Sequence, residues 1–70
     1  MDELTRRMVA RMASRGARYP EAATIAVAAR GRAAAGLAEF ARTLGIETGE
    51  LAAIEAGDVP MTELPAGLST

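Results

Sequence analysis

The chain has 70 residues, no cysteine, no histidine and a formal net charge of −1. That excludes disulfides and thiolate metal sites, and it removes both the commonest metal ligand and the commonest general base. Half the residues are apolar, yet 17 of these 35 are alanine, so one small domain with a thin core is expected, leaning on a protein partner or a homodimer.

In chain order, residues 2–15 read as an amphipathic helix. Asp2 and Glu3 suit its positive N-terminal end. Leu4, Met8 and Met12 recur every fourth residue with Val9 beside them, and Arg6, Arg7, Arg11 and Arg15 cover much of the rest. Gly16 and Tyr19-Pro20 mark a break. Pro20 suits the first turn of a second helix that runs to about Arg32 and turns Ile25 and Val27 inward. A third helix spans Leu37 to Leu44 and stops at Gly45. A fourth starts near Glu47 or Thr48 and stops at Gly57. Asp58-Val59-Pro60 is a turn, and Thr62 is a candidate cap for one short helical turn limited by Pro65 and Gly67. The chain thus divides into a basic helix (1–18), a helical core (20–60) and a short C-terminal tail (61–70).

The run Phe40-Ala41-Arg42-Thr43-Leu44-Gly45-Ile46, followed by Leu51, Ile54, Glu55 and Gly57, has the spacing of a helix, a tight turn and a second helix. Ala41 is small where two crossing helices meet. Gly45 stands where the turn needs a left-handed residue. Leu51 and Ile54 share one helical face that can pack on Phe40 and Leu44. Val27 and Arg30 stand upstream at the matching spacing. On these residues the segment 25–60 resembles the Xre/Cro (lambda-repressor-like) helix-turn-helix family. The resemblance implies an all-α domain of four or five short helices and a bend near Gly36, where helix propensity alone would continue through Ala33-Ala34-Ala35. It also implies a bidentate ion pair between Arg30 and Glu55, since guanidinium and carboxylate geometries match. Family members commonly continue with two further helices. Only ten residues follow Pro60, so the N-terminal helix or a partner is expected to stand in for them.

The positions that read DNA in that family do not suit it here. Base edges call for Gln, Asn, Arg, Ser or Thr at the exposed start of the second helix of the motif, and the matching positions are Thr48, Gly49 and Ala53. Leu37 occupies the start of the helix before it, where a polar residue would meet a phosphate. Glu47 and Glu50 flank the tip, and residues 43–57 contain no Arg or Lys. DNA affinity rests largely on neutralised phosphates. Should DNA be bound, Thr48 and the N-terminal Arg6, Arg7 and Arg11 are the candidates to hold it.

Charge is unevenly distributed. Residues 1–32 hold seven Arg against three acids, a balance of +4, and residues 33–70 hold one Arg against six acids, a balance of −5. This points to a polar interaction surface as readily as to chance clustering. The basic helix lacks aromatic anchors for a membrane surface. The longest uncharged apolar run, residues 22–29, is too short to span one, and arginines interrupt any signal-peptide core, so a cytoplasmic location without a membrane partner is expected. Glu47 and Glu50 are too few oxygen ligands for a metal. Arg30-Gly31-Arg32 lacks the pattern of a phosphate loop. No cofactor and no catalytic set are expected.

The reading favoured by these residues is a non-enzymatic helix-turn-helix protein that acts as a small regulatory or accessory protein-interaction subunit of a larger complex. Its partner face would be Leu37, Gly49, Ala52 and Ala53, with Ala53 outward. The alternative is a sequence-specific DNA-binding transcriptional regulator of the Xre/Cro type.

Overall fold

A computed structural model describes residues 2–68, and all of their regular structure is helical. The helices are α1 (Glu3–Ser14), α2 (Pro20–Ala33), α3 (Leu37–Leu44) and α4 (Thr48–Glu55), followed by a 3-10 turn at Met61–Glu63. The protein is a small all-α domain. Asp2 caps α1, its Oδ1 accepting the Thr5 amide at 2.7 Å. Hydrogen bonding to the Thr5 side chain and backbone lowers the Asp2 pKa below its ordinary value. Pro20 begins α2 at a position where the missing amide would have no helical partner.

The core lies between α2, α3 and α4. Ala26, Phe40, Ala41, Leu51, Ile54 and Leu68 form one buried cluster, with Ile25, Leu37, Leu44 and Ile46 among the part-buried residues packed on it. Ala22 and Ala23 are fully buried as well. Thr24, the one buried polar residue among those described, donates from Oγ1 to the Pro20 carbonyl at 2.8 Å, so its hydroxyl is satisfied within its own helix. The Cα radius of gyration is 11.1 Å, matching the roughly 11 Å expected of a compact domain of this length.

Two expectations from the sequence, an inward Val27 and a capping Thr62, need correction. Val27 is only half-buried and lies outside the core cluster. Ala22, Ala23 and Ala26 turn the inner face of α2, and Val27 stands about 100° around the helix from Ala26. The bend expected near Gly36 is present: α2 ends at Ala33, Ala34 is left-handed, with φ 53 and ψ 38, and Gly36 is the extended residue before α3. Thr62 lies inside the 3-10 turn, which Pro60 precedes with no side-chain capping bond. Residues 61–68 of the short C-terminal tail pack against the rest of the domain. Leu68 is buried, Leu64 packs against the core, and a Cβ at Gly67 would come within 2.8 Å of Leu44 Cδ2. Leu64 and Leu68 thus add large apolar side chains to an alanine-rich core. Residues 69 and 70 of the expected tail lie outside the described residues.

Ala34 pays a steric penalty that glycine escapes, because its Cβ crowds the backbone at positive φ. The turn is held by hydrogen bonds from its own amide to the Arg30 and Gly31 carbonyls and by Arg30 Nη1 donating to the Ala35 carbonyl at 3.2 Å. Ala34→Gly is therefore expected to raise stability, by up to about 1 kcal/mol. Chemical denaturation should show a higher midpoint with an unchanged slope.

Candidate interaction surface

α3 and α4 pack on each other across a turn at residues 45–47. Gly45 is left-handed, with φ 75 and ψ 28, and its amide satisfies the last carbonyls of α3. Phe40 and Ala41 of α3 meet Leu51 and Ile54 of α4 in the core. This packing sets the outer face of α4: Glu47, Thr48, Gly49, Glu50 and Ala52 are all exposed.

Arg30 and Glu55 are brought together. Arg30 Nε donates to Glu55 Oε2 at 2.8 Å, and Nη2 donates to Oε1 at 3.0 Å. The pair is bidentate, with the side chains 31% and 13% exposed. The Glu55 carboxylate raises the Arg30 pKa above its ordinary value, through the hydrogen bond first and charge second. With its third nitrogen on the Ala35 carbonyl, the guanidinium joins the end of α2, the turn before α3 and the end of α4.

The other candidate residues are more scattered. Gly49 and Ala52 are exposed as expected, whereas Leu37 is part-buried against the core and Ala53 is half-buried. The expectation of an outward Ala53 fails because the chain after α4 folds back. The Asp58 amide donates to the Ala53 carbonyl at 3.0 Å, and Ala53 lines a shallow groove of about 240 Å³ with Glu50, Ile54, Val59, Glu63 and Pro65. The apolar floor of this groove is Ala53, Ile54, Val59 and Pro65; the exposed carboxylates are Glu50 and Glu63. Leu37 and Ala53 are therefore less exposed than Gly49 and Ala52.

Arg6, Arg7 and Arg11 are exposed on α1, which packs on α2. The loop after α1 meets the C-terminal end of α4: the Arg18 and Tyr19 amides both donate to the Gly57 carbonyl, at 3.1 and 2.9 Å. Thr48 stands at the opposite end of α4, about 12 Å along the helix. The basic loop end and the start of α4 are thus separated by the length of that helix. No group of three or more acidic residues able to hold a metal occurs among the described residues.

Sequence reasoning missed the groove and the contact between Gly57 and the α1–α2 loop. Gly57 was legible as a helix end, and its φ of +85 fits that role, but its second role required knowing that Ala17 packs on it. For the groove, Val59 and Pro65 were the available signal, placed in segments that read only as turn and tail.

Comparison with protein-family models, curated proteins and solved structures finds no match. No helix among the described residues is long and apolar enough to cross a membrane.

Proposed function

We propose that this is a non-enzymatic, cytoplasmic protein-interaction module, a helix-turn-helix of Xre/Cro type that serves as a small regulatory or accessory subunit without reading DNA. The observation that carries the reading is the outer face of α4. It presents Glu47 and Glu50 beside Gly49 and Ala52, and residues 43–57 hold no cation. A surface of this kind repels phosphate and gives a base edge almost nothing to bond. A smooth small-residue patch with a charged rim suits contact with another protein.

Duplex DNA is expected to bind no more tightly than about 10⁻⁴ to 10⁻⁶ M at physiological salt, with little sequence preference. Fluorescence anisotropy on mixed and random duplexes measures this. Ala52→Arg places a long cation on the exposed face of α4, so the circular dichroism spectrum should be unchanged while co-purification of protein partners falls. The DNA-binding alternative takes over if a nanomolar, sequence-specific complex forms and is lost in Thr48→Ala.

A further inference from the structure

Among the four α-helices, α1 has the least complete covering. None of its 12 residues is buried. Met8, Val9 and Met12 are half-buried, while Leu4, Arg7 and Arg11 are exposed. These three are spaced three and four residues apart, so they share one helical stripe. Leu4 is 68% exposed, more than any other large apolar side chain described. The stripe is an apolar anchor followed by two cations.

The groove beside α4 is its chemical complement. Its floor of Ala53, Ile54, Val59 and Pro65 is apolar, its charged residues are Glu50 and Glu63, and no cation lines it. We propose that this groove receives α1 of a second copy of the chain. Leu4 sits on the apolar floor, and Arg7 and Arg11 face Glu63 and Glu50. A second copy fits because one chain carries both halves of the contact: residues 1–32 balance at +4 and residues 33–70 at −5. A two-fold arrangement lets each copy give its α1 and accept the other's, so the assembly closes at two. The proposal rests on the protein-interaction reading and names the partner. Arg7 is already 3.5 Å from Glu3 of its own helix, but both side chains are more than 70% exposed, so this contact yields readily to a new partner.

The test is sedimentation equilibrium of the full chain over a concentration series, at low salt and at about 1 M salt, where exposed charges are screened within a few ångströms. The wild type should form a reversible dimer that weakens at high salt. Arg7→Glu with Arg11→Glu should raise the dimer Kd at least about tenfold, as should Glu50→Arg with Glu63→Arg. All four residues are exposed, so circular dichroism and Tm should stay near wild type. Mixing the two reversed proteins should restore a dimer close to wild-type affinity, because both contacts in the mixed pair are again opposite in charge. Leu4→Ser tests the apolar anchor separately and should also weaken the dimer. A wild type that stays monomeric throughout overturns the proposal, as does a mixture no tighter than its components or a dimer indifferent to all these changes. Any of these leaves the interaction-module reading standing, since that reading fails by specific DNA binding.

Discussion

Gly57→Ala is expected to lower the Tm by roughly 10–30 °C or to prevent folding. Two independent penalties combine. Gly57 has φ +85, which costs a residue with a Cβ about 1–2 kcal/mol. The added Cβ would also overlap Ala17 Cβ and come within 2.9 Å of Ala17 Cα. Overpacking against backbone costs about 1–3 kcal/mol. A domain of this length commonly has only about 4–10 kcal/mol of total stability, and each kcal/mol moves Tm by about 4–8 °C. The shift cannot be relieved locally, because the Arg18 and Tyr19 amides both depend on the Gly57 carbonyl. Combining Gly57→Ala with Ala17→Gly should recover part of the loss by removing one overlapping methyl. Thermal melts of both proteins provide the check. A single variant that melts like wild type would mean that the α1–α2 loop does not lie against the end of α4.

The second large effect is expected at the ion pair. Glu55→Ala should lower Tm by about 5 °C or more, and Arg30→Met should lower it comparably. Arg32→Met, on an exposed side chain of the same helix, should do little. Glu55 is 13% exposed, so its carboxylate loses most of its water on folding and relies on the guanidinium in exchange. Arg30 has a further duty, since its Nη1 holds the Ala35 carbonyl. A double-mutant cycle separates the two roles: the double variant should be little worse than Arg30→Met alone. Additive losses would show that the two side chains act separately.

Much of the helical framework was legible in the chain because its signals are local. Pro20, Gly45 and Gly57 each mark a helix end through backbone geometry that depends on few neighbours. The spacing of Phe40, Ala41, Leu51 and Ile54 placed the inner faces of α3 and α4. What escaped reading depended on distant parts of the chain. On an alanine-rich helix, apolar periodicity does not tell inside from outside, so Val27 looked more inward than Ala22 and Ala23. Leu64 and Leu68 are separated by Pro65, Ala66 and Gly67, a stretch that reads as turn, and only the fold reveals that it returns to Leu44 and the core. The left-handed Ala34 ran against propensity altogether, held by contacts from Arg30. For the surface, the charge pattern on α4 was plain from sequence, whereas the half-burial of Ala53 was not, because it follows from the return of Val59 and Pro65.

The alanines buried along α2 carry a thermodynamic consequence. An alanine has no rotamers to lose on burial, so Ala22, Ala23 and Ala26 enter the interior at no side-chain entropy cost. They also release little apolar surface to water when the chain opens, and the heat capacity of unfolding scales with that surface. The domain is thus built from small favourable and small unfavourable contributions. Its stability curve is expected to be correspondingly flat, with the free energy of unfolding changing slowly on cooling as well as on warming.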